Sequence, residues 1–233
     1  MLADEPIQCV LRAGDLYWWC IGVKHRLTGM SMQEFLALLV LATAMSFTPG
    51  PNTTLSTALA ANRGLRGALH FCLAVPAGWT LLMLACGLGL GAAVVAVPAL
   101  RWGVTAVGVA YMFWLAWQLA RVRQLGEADR SRLDVSFVQG VALQFVNIKA
   151  WMLALALTAG WVTSSGGAPA ANPGERLAIV LVVMAVYAFT SNLTYAVVGA
   201  SLRGWLAQGQ RLLWFNRTMA TVLVATALWM LRL

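Results

Sequence analysis

The sequence predicts an all-α integral membrane protein with six transmembrane helices. Three observations carry this prediction: 61% of the 233 residues are hydrophobic, only 10% are charged, and the mean hydropathy is +0.76. Soluble domains have roughly 25% charged residues, so this chain has too few charges to cover a surface that faces water. Because one span needs about 20 apolar residues, six spans with short loops nearly use up the chain.

The first 31 residues differ in composition from the rest. Asp4 and Glu5 precede an apolar stretch that is too short and too aromatic for a secretory signal. We expect residues 1–31 to be a poorly ordered N-terminal tail, or an artefact of an upstream start site. We expect residues 32–233 to form a single six-helix transmembrane domain.

Six apolar segments follow in order, at residues 33–61, 66–97, 99–120, 137–162, 176–201 and 212–232. The small-residue stretch 164–169 between the fourth and fifth segments is typical of a linker. Basic residues are concentrated in the first, third and fifth connections, which predicts that these are cytoplasmic and that both chain ends face outward. No basic stripe with interleaved aromatic residues accompanies the net charge of +8, so the sequence does not indicate nucleic-acid binding.

Six segments divide into two triplets, and an odd number of spans per half gives the halves opposite orientations. Inverted-repeat transporters are built in this way. The sequence therefore predicts a 3+3 inverted repeat, in which the first and fourth helices correspond. Each of these two segments carries an unusual feature near its middle.

In the first segment the unusual feature is Pro49-Gly50-Pro51. Proline donates no backbone N–H and disfavours helical geometry in the residue before it, so a helix break is expected here. A second half-helix can begin at Pro51. The free N–H groups of Asn52, Thr53 and Thr54 would then point back at the break and favour a carboxylate. The alternative is a packing kink without a ligand.

In the fourth segment the unusual feature is Asn147 followed by Lys149, the only lysine after residue 31. Lys149 lies about a dozen residues from either end of its segment, where an ammonium group costs on the order of 3 kcal/mol. Apart from Glu34 at the very start of the first segment, no Asp or Glu lies within the apolar segments to pair with it. The counter-charge is therefore a substrate carboxylate, unless backbone carbonyls or amides suffice. The alternative is a shifted helix with Lys149 at the membrane interface.

Other polar residues give weaker signals. Asn192 and Tyr195 lie in the fifth segment and are further candidates for substrate binding, although such residues often only bridge helices. The cysteines form no CxxC pair or metal-ligand spacing, and no nucleophile–base–acid set is recognisable. We therefore expect no metal site, no cofactor and no enzymatic activity.

Four stretches resemble the LysE/RhtB family, the lysine exporter and homoserine/threonine efflux group, over about residues 32–233. They are Phe47-Thr48-Pro49-Gly50-Pro51-Asn52, the basic first loop at 62–67, the third-segment pattern at 108–117, and the stretch from 137 to Asn147-Ile148-Lys149-Ala150. In this family the last stretch usually reads Asn-Pro-Lys-Ala. Because Ile148 replaces the proline, the sequence leaves open whether the fourth helix is broken.

The resemblance implies a secondary exporter of amino acids or related small metabolites, driven by the proton motive force. It also implies a homodimer in the bacterial inner membrane. The substrate-binding residues would be those named above: Pro49, Gly50, Pro51, Asn52, Thr53, Asn147, Lys149, Asn192 and Tyr195. The alternative function is a channel or a metal-cation extrusion protein of the same architecture, although such a path usually has acidic residues or thiolates in its spans.

Overall fold

The computed structural model describes residues 29–123 and 134–232, so most of the 1–31 tail lies outside the described residues. The described part is helical apart from one hairpin and short connections. Its helices are α1 (Met32–Phe47), α2 (Pro51–Gly87), α3 (Leu90–Ala96), α4 (Pro98–Arg121), α5 (Phe137–Phe145), α6 (Ile148–Leu157), α7 (Pro173–Leu206) and α8 (Arg211–Met230). A π-helical turn, Thr158–Val162, extends α6.

The predicted linker at 164–169 contains the two strands β1 (Ser164–Ser165) and β2 (Ala168–Pro169). They pair antiparallel around Gly166 and Gly167, both of which have positive φ angles. The linker prediction was therefore incomplete, because the two glycines allow a tight hairpin.

Within the described residues, α2, α4, α7 and α8 are long and apolar enough to cross a membrane. The pair α5 and α6, with its π-helical turn, is a fifth candidate that bends by 67° at its break. Helix α1 is apolar but has only 16 residues. These findings support a multi-pass membrane protein, while six spans and an inverted repeat stay predictions.

The break predicted in the first segment is confirmed. Helix α1 begins with a capping box between Ser31 and Glu34, and it ends at Phe47. The next helix begins at Pro51, which occupies its first position as expected. Helix α2 is itself interrupted at Gly64, whose φ of 77° and ψ of 168° are not helical. Without a Cβ, glycine adopts this positive φ at little cost.

The second apolar segment is not one continuous helix over 66–97. Helix α2 ends at Gly87, and α3 begins at Leu90 after a turn in which Gly89 has a φ of 90°. The apolar composition continues through this turn, so hydropathy alone gave no sign of it.

The fourth segment is also broken, although Ile148 replaces the family's usual proline. Helix α5 ends at Phe145, and α6 begins at Ile148 after Asn147, which has extended φ and ψ angles of −96° and 96°. Two contacts accommodate the break. Trp151 Nε1 donates to the Phe145 carbonyl oxygen at 2.8 Å. The Val146 carbonyl lies so close to α4 that a Cβ built on Gly108 would be 1.9 Å from its oxygen.

The first, third and fifth connections meet at one end of the molecule. Arg63 forms an ion pair with Asp134. Asn62 and Asn216 exchange two amide hydrogen bonds of 2.8 and 3.1 Å, and Asn216 also donates to the Val122 carbonyl. These contacts tie the turn after the first half of α2 to the end of α4 and the start of α8. This is the arrangement expected if odd-numbered loops share one side.

The opposite end is closed around Arg176, which is fully buried in the first turn of α7. Its guanidinium pairs with Glu34 at 2.9 Å and donates to the carbonyl oxygens of Gly29, Trp161 and Ser164. Trp161 Nε1 also donates to the Glu34 carbonyl. Arg176 is thus satisfied by one carboxylate and three carbonyls, as a buried charge requires.

The helices pack through small residues. Gly199 on α7 faces the Thr57 carbonyl of α2 so closely that a Cβ would be 2.2 Å from its oxygen. The described cysteines, Cys72 and Cys86, are 0% and 2% exposed and form no disulfide. They behave as small apolar residues of the core.

Candidate functional site

A cavity of about 90 Å³ lies where the two helix breaks meet. That volume exceeds the roughly 10–15 Å³ needed for one water molecule several-fold. Its lining joins both breaks to the middle of α7. The lining residues are Met45, Ser46, Thr48, Gly50, Pro51, Asn52, Thr53, Val75, Trp79, Asn147, Lys149, Ala150, Leu153, Met184, Ala188, Ser191 and Asn192.

One wall of the cavity is the N-terminus of α2. Within the described part of the chain, the backbone N–H groups of Asn52 and Thr53 have no acceptor. The Thr54 N–H, which was also expected to be free, donates to the Gly50 carbonyl at 2.9 Å. The Thr53 hydroxyl accepts from the Gly50 N–H and thereby fixes the first turn. Two free N–H groups and the helix dipole give this wall a partial positive charge.

The Asn52 side chain is engaged by α5 and does not point freely into the cavity. Asn52 Nδ2 donates to Gln144 Oε1 at 2.9 Å, and Gln144 Nε2 donates to Asn52 Oδ1 at 3.1 Å. Gln144 is fully buried and also donates to the Gly140 carbonyl. This reciprocal amide pair holds the start of α2 against the end of α5, so it fixes the distance between the two breaks.

We predict that Asn52→Leu destabilises the protein by about 1–2 kcal/mol, because it leaves the buried Oε1 atom of Gln144 without a hydrogen-bond donor. Combining it with Gln144→Met should restore most of the loss, since both partners are then apolar. Melting of the purified protein, followed by fluorescence-detected size exclusion, measures both effects. An unchanged melting temperature for Asn52→Leu would show that the amide pair does not hold the breaks together.

The second wall of the cavity is the N-terminus of α6. Among the described residues, the backbone N–H groups of Ile148 and Lys149 have no acceptor. Asn147 is 5% exposed, and its Oδ1 atom is buried without a hydrogen-bond partner in that part of the chain. Its side chain does not cap α6. Asn147 therefore offers an unused polar group to whatever occupies the cavity.

Lys149 lines the cavity and is half-buried. Its Nζ atom lies 5.6 Å from the ring centroid of Trp229, in the last turn of α8. Within the described residues, Lys149 has no carboxylate partner and no side-chain hydrogen bond. The nine residues of α5 rise about 14 Å, roughly half the hydrocarbon thickness. From this length we expect the break, and with it the backbone of Lys149, to lie close to mid-membrane.

The other candidate residues are placed differently. Asn192 lines the cavity, but its side-chain amide is already hydrogen-bonded. Ser56 Oγ donates to Asn192 Oδ1 at 2.8 Å, and Asn192 Nδ2 donates to the Ala188 carbonyl at 2.8 Å, so Asn192 bridges α7 to α2. Tyr195 lies outside the lining and donates to the Phe47 carbonyl at 2.9 Å, which satisfies the end of α1. Pro49 also lies outside the lining and is exposed.

Sequence reasoning missed several lining residues. Trp79 is only 7% exposed and forms part of the apolar wall with Val75, Leu153 and Met184. Its position in the middle of the second segment, just after Gly78, was the available signal. Ser46, Thr48 and Ser191 add hydroxyl groups next to the breaks.

The described lining carries one cationic side chain and no Asp, Glu, His or Cys side chain. Within residues 29–123 and 134–232, no group of three or more such side chains could hold a metal ion. Two helix N-termini and an ammonium therefore surround an apolar-walled space, an arrangement suited to a small molecule with a carboxylate.

A family model described as LysE type translocator matches residues 43–233. The chain belongs to this family. The match begins before the first helix break and includes both walls of the cavity. LysE type translocators are membrane transport proteins, so the multi-pass helical fold and the central cavity agree with the assignment.

Relatives of this chain include cysteine/O-acetylserine efflux proteins from several bacteria. The protein from Escherichia coli K12 is 30% identical over 191 residues, which are 80% of this chain and 91% of the relative. The Klebsiella pneumoniae protein is 28% identical over 197 residues, 82% and 93% of the two chains. The alignment with the Salmonella typhimurium protein, at 35% identity, covers 45% of this chain and about half, 53%, of the relative. No solved structure matches.

Proposed function

We propose that this LysE type translocator exports small amino acids with uncharged side chains, or close derivatives of them. The observation that carries the proposal is the cavity between the two helix breaks. It places Lys149 beside the N-termini of α2 and α6, whose first turns have four backbone N–H groups without an acceptor in the described chain, and its described lining contains no acidic side chain. This charge distribution is complementary to a carboxylate and not to a cation.

The substrate carboxylate would lie between Lys149 and the N-terminus of α2, near the N–H groups of Asn52 and Thr53. The substrate ammonium would donate to Asn147 Oδ1 and to the carbonyl oxygens of Met45 and Ser46, because Tyr195 and Thr48 already donate to the other two carbonyls in the last turn of α1. Gly50, Pro51 and Thr53 act here by shaping the helix start. The side chains of Asn52, Asn192, Pro49 and Tyr195 would support the site without direct contact.

The substrate's side chain would meet the apolar wall formed by Val75, Trp79, Leu153 and Met184. A space of about 90 Å³ favours a short side chain. A basic side chain would add a second cation beside Lys149, with no described carboxylate to receive it. The cysteine/O-acetylserine efflux proteins among the relatives are named for substrates with small uncharged side chains, which suggests these two molecules as the first substrates to test.

We predict that cells or proteoliposomes with this protein export cysteine or O-acetylserine and do not export lysine. Efflux of radiolabelled cysteine, O-acetylserine, threonine and lysine is measured from proteoliposomes, with and without an imposed pH gradient. Stimulation by the gradient is expected if the proton motive force drives export. Lysine efflux as fast as that of the small neutral amino acids would contradict the proposed substrate class.

The transport cycle proposed here is alternating access by a six-span inverted repeat. In this arrangement α1 and the first part of α2 form one broken span, and α5 and α6 form the corresponding one. The clustering of the first, third and fifth connections at one end of the molecule supports this arrangement. The odd loops would be cytoplasmic in the bacterial inner membrane, with both chain ends outward.

The homodimer implied by the family resemblance is also a proposal. Its test is the mass of the purified protein by light scattering with the detergent contribution subtracted. A monomer at transport-competent concentrations would contradict it.

A channel or metal-cation exporter of the same architecture is the alternative function. Hard and borderline metal ions prefer carboxylate, imidazole or thiolate ligands. The described cavity lining has none of these and carries a lysine instead. The substrate assay described above also tests this alternative, since a cation exporter would show no amino-acid efflux.

A further inference from the structure

A groove of about 510 Å³ runs between α4 and α8 on the outer surface of the helix bundle. Its floor consists of small residues, Ala116, Ala120 and Ala220, and its sides include Phe113 and Trp117. Phe113 and Trp117 are 38% and 53% exposed. The groove is separate from the central cavity and shares no lining residue with it.

Two arginines mark one end of this groove. The Arg121 guanidinium lies over the ring of Trp117, 3.7 Å from its centroid, and the Arg217 guanidinium is 5.5 Å from the centroid of Trp214. Arg217 itself lines the groove. Stacking on tryptophan holds a guanidinium in place while its N–H groups stay available. Among the described residues, neither arginine has an ion pair with an acidic side chain.

The arginine end of the groove is the end at which the first, third and fifth connections meet. The hydrogen bond from Asn216 to the Val122 carbonyl places the end of α4 beside the start of α8. The groove therefore leads from a cationic mouth to an apolar interior near Phe113 and Val224. By the distribution of basic residues, this mouth faces the cytoplasmic leaflet, where anionic lipids attract arginine.

We propose that this groove binds an anionic phospholipid of the cytoplasmic leaflet. The phosphate group accepts hydrogen bonds from Arg121 and Arg217, and one acyl chain lies on the alanine floor between Phe113 and Trp117. Charge complementarity selects the headgroup, since two guanidinium groups without a described carboxylate favour a phosphate with net negative charge over one that choline neutralises. The proposal does not depend on which substrate the protein exports.

Native mass spectrometry of the full-length protein in detergent tests the proposal. Dioleoyl phosphatidylglycerol and dioleoyl phosphatidylcholine are titrated separately, and the lipid-bound fraction gives an apparent Kd for each. Wild-type protein should prefer phosphatidylglycerol. The double variant Arg121→Gln/Arg217→Gln should weaken phosphatidylglycerol binding about 30-fold and leave phosphatidylcholine binding unchanged.

Two further variants separate the groove from general surface charge. Arg101→Gln removes another tryptophan-stacked arginine, at the opposite end of α4, and should retain the preference. Thr221→Trp keeps both arginines but fills the groove, and it should weaken phosphatidylglycerol binding as strongly as the double variant.

Three results would overturn the proposal. One is undiminished phosphatidylglycerol binding by the double variant. Another is competition by inorganic phosphate at the concentrations that saturate the lipid site, which would show a bare anion site. The third is a change of oligomeric state in Thr221→Trp, which would show that a second copy of the chain occupies this groove.

Discussion

Replacing Lys149 with methionine should lower substrate efflux on the order of 100-fold. A charge-assisted hydrogen bond in a buried site contributes about 1.5–3 kcal/mol, which corresponds to roughly 10- to 150-fold in binding. Methionine keeps the length and apolar stem of lysine and removes only the ammonium group. The measurement is initial efflux of the best substrate from proteoliposomes that contain equal amounts of each variant.

The thermal stability of Lys149→Met should not decrease together with its efflux. Among the described residues Lys149 has no ion pair, and its Nζ atom lies 5.6 Å from the centroid of the Trp229 ring. Removing a charge from the middle of an apolar segment should therefore keep or raise the melting temperature of Lys149→Met. Lys149→Arg serves as the matched control that keeps the charge. An efflux rate of Lys149→Met equal to that of the wild type would contradict the proposal that Lys149 binds the substrate carboxylate.

Replacing Gly108 with alanine should destabilise the protein by about 3 kcal/mol, because a Cβ on α4 would overlap the carbonyl that the break in the fourth segment leaves exposed. The built Cβ would be 1.9 Å from Val146 O and 3.0 Å from its carbonyl carbon. Backbone atoms cannot move aside as the end of a flexible side chain can, so α4 and the break must separate. The expected result is a low yield of monodisperse protein and a strongly reduced melting temperature.

Gly103 provides the control on the same helix. A Cβ built there meets no atom within 4 Å. Gly103→Ala should therefore be neutral or stabilise the protein by about 0.5–1 kcal/mol, the usual gain of alanine over glycine inside a helix. Equal melting temperatures for the Gly103 and Gly108 variants would disprove the close approach of Val146 to α4.

The sequence was most informative at residues that are unfavourable inside a continuous transmembrane helix. Pro49-Gly50-Pro51 cannot continue a helix, so the end of α1 and the start of α2 at Pro51 were predictable. Lys149 was recognisable because a lysine in an apolar segment is costly, and the structure places it in the cavity lining. The family resemblance, carried by the same residues, was confirmed by the family match.

The sequence was least informative where long-range contacts decide the conformation. The break at Asn147 has no proline, and it depends on Trp151 and on the space that Gly108 provides in another helix. The Asn52–Gln144 pair joins residues 92 positions apart. The burial of Arg176 depends on Glu34, which is 142 positions away. Periodicity and local propensity carry no information on such partners.

The burial of Cys72 and Cys86 also makes this chain convenient for chemical labelling. Maleimides react with thiols that water can reach, and these two side chains are 0% and 2% exposed. In a variant with Cys9 and Cys20 replaced by serine, a cysteine is introduced at Gly166. A membrane-impermeant maleimide added to one side of the membrane then shows on which side the β1–β2 hairpin lies. A cysteine introduced at Ser46 or Ser191 would instead show whether substrate fills the cavity, because bound substrate would slow its reaction with the maleimide.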